Sequence, residues 1–372
     1  MTREKLGAVS TGSVGGGSSS IFTLYNASVS VSYLLDIWGG TRREVEAAGA
    51  GRDFAKFELD ATYLTVTSNV VTGAIQEASF RAQIAATNDI IKSQSQELGV
   101  LNQQFTLGAI SRADVLSQES QLAQVQASLP ILQRQLSQTR NQLAVLLGRL
   151  PSEGNIDAFD LAKLELPKDI PVSVPSKLVE QRPDIRAAEA TLHQASAEVG
   201  VATANMLPQI TLSANYGSTA LDTASLFSAP TIAWSLGANV VQAIFHGGTL
   251  WYRRGAAKAA YDKAFAQYKG TVLAAFADVA NALRALETDA DALKANVLAE
   301  KAARGRLYLT REQFKAGAVG YLSVLDAERT YDQARISLVQ AQAARYADTA
   351  ALFVALGGGW WNAPVPTGEA KN

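Results

Sequence analysis

The chain of 372 residues contains no cysteine and only two histidines, His193 and His246. A disulfide framework, a thiol nucleophile and a Cys/His zinc centre are therefore excluded. There is no basic tract and the formal net charge is −1, which argues against nucleic acid as a partner. No run approaches the roughly 18 apolar residues of a membrane-spanning helix. Hydrophobic residues nonetheless make up 48% of the chain, which leaves a soluble protein or a barrel whose strands escape hydropathy scans. Charged residues are few at 18%, where about 25% is usual. That deficit points to helix faces packed on other helices or on copies of the chain. The opening MTREKLGAVSTGSVGGGSSS lacks the apolar core of a secretory signal and reads as a Gly/Ser loop.

Proline is also scarce, and none occurs between Arg42 and Leu107. An uninterrupted helix over that stretch, at about 1.5 Å per residue, approaches 100 Å. Helices of that length belong to coiled coils and helical barrels. A break at Leu107-Gly108-Ala109 is followed by a second helix to Leu147-Gly148. Pro130 lies inside that second helix and predicts a kink. Its apolar positions Leu122, Val125, Leu129, Leu132, Leu136, Leu143 and Leu146 are three and four apart, with Thr139 filling the gap. Such a seam implies left-handed supercoiling against a partner helix. A Gly247-Gly248-Thr249 turn opens another very long helix to about Lys315, and a return helix runs to Gly357. There the seam is Tyr331, Ala334, Leu338, Ala341, Leu352 and Ala355, and Arg345 and Asp348 interrupt it without an evident reason.

Three stretches alternate with period two instead. In NASVSVSYLLDIW, from Asn26, the positions Ala27, Val29, Val31, Tyr33 and Leu35 oppose Asn26, Ser28, Ser30 and Ser32. Ile210, Leu212, Ala214 and Tyr216 alternate with Thr211, Ser213, Asn215 and Gly217. Ile232, Trp234, Leu236, Ala238 and Val240 alternate with Ala233, Ser235, Gly237 and Asn239. Strands of about ten residues match a tilted bilayer crossing, with Trp38, Tyr216 and Trp234 as interfacial aromatics. A soluble sandwich fits the alternation equally well. Closure separates the two: a few strands cannot close a membrane barrel alone, so several chains must do so together.

The two halves are related. QFTLGAISRADVLSQES from Gln104 aligns with QFKAGAVGYLSVLDAER from Gln313, an offset of 209 residues. Gly108/Gly317, Leu116/Leu325, Glu119/Glu328 and Gly148/Gly357 match without a gap. Gly39-Gly40-Thr41 corresponds to Gly247-Gly248-Thr249, one residue out of register. Each half is thus strand, Gly-Gly-Thr turn, very long helix, glycine tip and return helix. The reading divides the chain into a residual strand end and Gly/Ser loop over 1–20, a barrel strand over 21–38 and a helical hairpin over 39–150. An irregular equatorial linker follows over 151–175, then helices over 176–206, a strand pair over 207–247, a second hairpin over 248–358 and a tail over 359–372.

The run QRPDIRAAEATLHQASAEVGVATANMLPQITLSA from Gln181 resembles the signature of the outer membrane factor family, the TolC-like exit ducts of tripartite efflux systems. YLLDIWGGTRREVEAA from Tyr33, LAVLLG ending at Gly148 and ALGGGW ending at Trp360 support it, and the likeness is to the NodT-type lipoprotein subgroup. The resemblance implies a fold of mixed α and transmembrane β structure. Four strands from each chain of a homotrimer form a 12-stranded outer-membrane β-barrel continuous with a periplasmic α-helical coiled-coil barrel. It implies a passive, non-enzymatic duct without cofactor or metal, in outer membrane lipid, partnered by a periplasmic adaptor protein and an inner-membrane RND-type pump. Family members begin with a signal peptide and often a lipidated cysteine, so the expectation is an N-terminally truncated chain.

The resemblance also assigns roles to residues. The tips Leu107, Gly108, Ala109 and Ile110, and Ala316, Gly317, Ala318 and Val319, correspond to the hairpin ends that meet the adaptor. An ordinary glycine turn explains the same residues. Leu322, Asp326 and Arg329 match a Leu and charged residues that close the periplasmic iris, and their spacing puts them near one helix face. The first half has Ala113, Ser117 and Ser120 there, so the charges belong to one hairpin. A surface ion pair between Asp326 and Arg329 is the plainer alternative. His193 reads as structural, and Asp289 and Asp291 as a solvated face. The rival classes are a structural coiled-coil envelope protein, a non-functional fragment of a channel, and an enzyme. The repeated strands argue against the first, and the absence of a catalytic constellation against the last. The exported substrate is not legible.

Overall fold

The computed structural model describes residues 2–6, 20–153, 159–164, 166 and 181–358. Expectations for the Gly/Ser loop, most of the 151–175 linker, the start of the 176–206 helices and the 359–372 tail lie outside those residues. Chain contacts separate two compact units, Met1–Phe54 with Glu189–Gln267, and Ala55–Ala188 with Tyr268–Asn372.

Four strands and five α-helices are described. The strands are β1 (Thr2–Leu6), β2 (Ser20–Leu35), β3 (Gln209–Ala220) and β4 (Ile232–Val241). The helices are α1 (Gly40–Thr106), α2 (Arg112–Leu146), α3 (Pro183–Ala204), α4 (Thr249–Lys315) and α5 (Tyr321–Ala355). Helices α1 and α4 have 67 residues each, and α2 and α5 have 35 each. Every boundary of α4 and α5 falls 209 residues after that of α1 and α2. The same offset relates the left-handed glycines Gly39/Gly248, Gly108/Gly317 and Gly148/Gly357. This corrects the Gly-Gly-Thr alignment: the halves stay in register, with Gly39 matching Gly248 and Gly40 matching Thr249.

The first unit holds the sheet, in order β1-β2-β3-β4 and antiparallel throughout. Strand β2 therefore has neighbours on both sides. It ends at Leu35, before Trp38, because Asp36 starts the helix. The Asp36 carboxylate accepts from the Thr41 and Arg42 amides, both at 3.0 Å, and from Arg42 Nε at 3.1 Å. An acceptor there satisfies donors that the first helical turn leaves free. Alanine lets helices approach in this unit: Ala50, Ala195, Ala197, Ala204 and Ala264 are buried.

The second unit is built from hairpins. At each tip a Schellman turn closes the long helix: Gly108 N–H donates to Phe105 O and Ala109 N–H to Gln104 O, both 2.9 Å. Gly317 and Ala318 repeat it on Phe314 and Gln313 at the same distances. The left-handed φ of +74° and +72° is what requires glycine. Ser111 caps α2 with a capping box to Asp114, whereas its counterpart Gly320 makes no side-chain cap. Pro130 is held inside a continuous α2 and does not end it. Leu101, Val115, Leu307, Tyr321, Val324, Leu325 and Ala327 form one apolar cluster behind the tips, joining α1, α2, α4 and α5.

The two seam-breaking residues of α5 have partners. Arg345 donates to Leu286 O at 2.8 Å. Asp348 neighbours Asp289; burial first, and this second carboxyl next, push Asp289 up to about 6. Asp289 thus belongs to a carboxyl pair inside one hairpin, whereas Asp291 lies on a solvated face, 3.5 Å from Lys294. His193 meets Glu46 at 3.1 Å, and His246 is exposed in the turn before α4.

Candidate gate and membrane wall

The sheet register aligns the three alternating patterns. Val29, Tyr216 and Trp234 are level across β2, β3 and β4; so are Val31, Ala214 and Leu236, then Tyr33, Leu212 and Ala238, then Leu35, Ile210 and Val240. The intervening levels are Ser28, Gly217 and Ala233; Ser30, Asn215 and Ser235; Ser32, Ser213 and Gly237. Over these levels one face is apolar and the other small or polar; beyond them Leu34 joins Thr211 and Asn239 on the polar side and Ser218 joins Ala27 and Ile232 on the apolar side. A one-residue slip of any strand would mix them. The apolar face is bare: Trp234 is 76% and Leu236 77% exposed. Water does not tolerate a continuous patch of this kind, whereas lipid does. From the Val29 level to the Leu35 level is six residues, about 20 Å. Tyr216 and Trp234 sit together at one end of that band. Trp38 lies past the other end of β2, its indole N–H donating to Pro208 O at 2.8 Å. Gly217 is required on the polar face, because a Cβ there would stand 2.7 Å from Ser28 Cβ and 3.0 Å from Ala27 O.

In the second unit the tip residues Leu107, Gly108, Ala109, Ala316, Gly317 and Ala318 are exposed, while Ile110 and Val319 turn partly inward. Leu322, Asp326 and Arg329 share an exposed side of α5. Asp326 and Arg329 do not pair with each other. Asp326 accepts from Arg306 of α4 at 2.5 Å, and Arg329 Nε donates to Gln121 of α2 at 2.5 Å. The pairing expected within one helix fails because each side chain finds a partner on a neighbouring helix. Leu322 has no such anchor and is 72% exposed.

Behind this face lies a polar layer that the sequence did not reveal. Glu328, 3% exposed, accepts from Arg311 at 2.5 Å, and Arg311 reaches Glu97 at 3.4 Å. Burial raises the Glu328 pKa, and the Arg311 guanidinium opposes that rise. Tyr321 O–H donates to Gln118 at 2.9 Å, and burial raises its pKa, keeping the phenol neutral. Well away from this layer along α1, Glu77 is also buried and lies 2.9 Å from Arg81 and Arg140. The Glu119/Glu328 match was a signal, but the two differ: Glu119 stands 4.0 Å from Arg112 at the surface. Among the described residues no acidic or histidine cluster would hold a metal, and no helix is long and apolar enough to cross a membrane.

A bare apolar sheet face in one unit and long helical hairpins with a charged exposed side in the other fit an outer-membrane channel subunit. The sequence matches the family described as outer membrane efflux protein over residues 3–149 and 174–358, and the chain belongs to it. It is 32% identical over 338 residues to the pyoverdine export outer membrane protein OpmQ of Pseudomonas putida, covering 91% of this chain and 71% of that one. Nodulation protein T of Rhizobium leguminosarum bv. trifolii is 28% identical over 335 residues, covering 89% and 71%. The solved outer-membrane channel OprN superposes with a TM-score of 0.89 at 29% identity, covering 96% of this chain and 81% of that one. The protein is an outer-membrane efflux channel, a transport duct and not an enzyme.

Proposed function

We propose that three copies of the chain close a passive exit duct for small molecules. Each contributes β1 to β4 to a 12-stranded barrel, with the Val29–Trp234 face in outer membrane lipid and the serine-rich face lining water. The helical hairpins form a coaxial barrel in the periplasm. Their tips, residues 107–110 and 316–319, dock on a periplasmic adaptor that links the duct to an inner-membrane RND-type pump. Leu322, Asp326 and Arg329 narrow the periplasmic mouth. Asp326 held by Arg306, and Arg329 held by Gln121, tie that narrowing to neighbouring helices.

The observation that carries this reading is the register of β2, β3 and β4, which produces an exposed apolar face on a sheet whose outer edges have no partner among the described residues. Unpaired edges demand a partner in a membrane, and copies of the same sheet supply one. The test is to purify the chain in detergent, weigh the complex and record conductance in planar bilayers. Trimers conducting in discrete steps are expected. Monomers, or trimers without conductance, overturn the reading. Replacing Asp326 and Arg329 by alanine is expected to raise the conductance.

A further inference from the structure

Between the tip cluster and the rest of the second unit, the two hairpins meet through amides rather than leucines. Gln94 of α1 is 3% exposed and faces α5. Its Nε2 donates to Asp332 Oδ2 at 2.9 Å. The carbonyl oxygen of the same carboxamide, Oε1, is buried and has no hydrogen-bond partner. An orphaned buried acceptor costs about 1–3 kcal/mol. A carboxylate cannot satisfy it, because an ionised acid has no hydrogen to donate. A neutral carboxyl can: its O–H would meet Oε1 while its other oxygen keeps the Nε2 bond, giving a closed two-bond pair.

The cations nearby are engaged elsewhere. Arg335 pairs with Asp89 of α1 at 2.6 Å, and Arg311 of α4 with Glu328 and Glu97. Arg329 is bound to Gln121 of α2, Arg304 of α4 to Glu300, and Arg306 to Asp326. Lys92 of α1 and Tyr331 of α5 are further titratable groups on the helices packed here. Asp332 thus has no ion-pair partner among the described residues. It opens onto a groove of about 530 Å³ lined by Gln83, Thr87, Gln121 and Arg329, which gives a proton access from water.

We propose that Gln94 and Asp332 form a proton-operated clasp: a proton taken up from water by the Asp332 carboxylate completes a second hydrogen bond to Gln94 and holds the α4/α5 hairpin against α1, closing the duct. The inference rests on the channel reading above. Burial, opposed by the Gln94 bond and by Arg335 and Arg311, pushes Asp332 up to about 6. A parted, hydrated aspartate returns to about 3.9. The packed state therefore favours the protonated form. The clasp is strongest below the parted value and weakens as pH rises through about 6. A difference of about two pH units changes the parted-to-clasped ratio by up to ~100-fold per chain.

The test is the open fraction of the reconstituted full chain at roughly pH 7.5 and about pH 4.5. A fall of ~10-fold or more on acidification is expected. Asp332→Asn, which carries the hydrogen donor permanently, should hold the acid value at both pH values. Asp289→Asn, inside a single hairpin, should keep the wild-type response. A wild-type open fraction independent of pH, or an unaltered response in Asp332→Asn, overturns the clasp. Spin labels at Ser95 and Gln333 of the otherwise unaltered chain give a readout that needs neither conduction nor the variant. Their separation should narrow in acid, and an unchanged distance overturns the clasp. Trimers silent at every pH would sink the channel reading, and the label distance would still decide the clasp.

Discussion

Replacing Arg311 by methionine removes the cation that faces Glu328 while keeping an unbranched side chain of similar reach. Glu328 is then left with no positive partner at 3% exposure, and Glu97 loses its ion pair. Breaking a buried pair by deleting one partner costs about 3–5 kcal/mol. Arg311 is itself 34% exposed, so solvent reduces that figure. Protonation sets a ceiling, since neutralising a glutamate of ordinary pKa about 4.3 at pH 7 costs roughly 3.7 kcal/mol. The expected loss is therefore about 2–3.7 kcal/mol at pH 7 and only ~1 kcal/mol at pH 5, where neutralising the acid costs that much less. Denaturant unfolding of detergent-solubilised protein, followed by helical circular dichroism at the two pH values, measures both. Adding Glu328→Gln should recover most of the loss at pH 7. An equal loss at both pH values would show that packing, not the uncompensated charge, dominates, and the reasoning would fail.

Stability of the α4/α5 hairpin should rise as pH falls through about 6, because burial and Asp348 raise Asp289; Asp289→Asn should flatten that part of the unfolding profile. Gly217→Ala pushes a Cβ to 2.7 Å from Ser28 and should destabilise the β2–β3 pairing by about 1–3 kcal/mol, read as a lower melting temperature of the assembled barrel. Ser111→Ala removes the α2 cap and should cost about 1 kcal/mol of unfolding free energy, whereas Gly320→Ala removes no side-chain cap and should cost less. Asp326→Ala breaks only an exposed pair with Arg306, so its effect on unfolding should stay below about 1 kcal/mol while its effect on conductance is large.

Much of the fold was legible because its signals are local. Gly108 and Gly317 end their helices through left-handed φ, and the absence of proline before Leu107 left α1 nothing to stop it. Alternation in β2, β3 and β4 read directly as two faces, although only pairing could reveal that all three strands agree in phase. The Gly-Gly-Thr motif misled by one residue because the composition repeats, but the left-handed Gly39 corresponds to Gly248, the second of two left-handed glycines in the other half. Site chemistry was less visible. Leu322, Asp326 and Arg329 were named together, yet their partners Arg306 and Gln121 are 20 and 208 residues away, on other helices. The Glu97–Arg311–Glu328 contact and the Gln94–Asp332 bond depend on three helices meeting at one level. No spacing within a single helix encodes that.

The account's central claim is that one face of β2 meets lipid and the other meets water. These 372 residues contain no cysteine, so single cysteines can be placed in them without background. Substituting each residue from Ser28 to Tyr33 in turn, and labelling reconstituted protein with a charged, membrane-impermeant thiol reagent, tests the claim most directly. Cysteines at Ser28, Ser30 and Ser32 should label, and those at Val29, Val31 and Tyr33 should resist. Equal labelling on both parities would contradict the account.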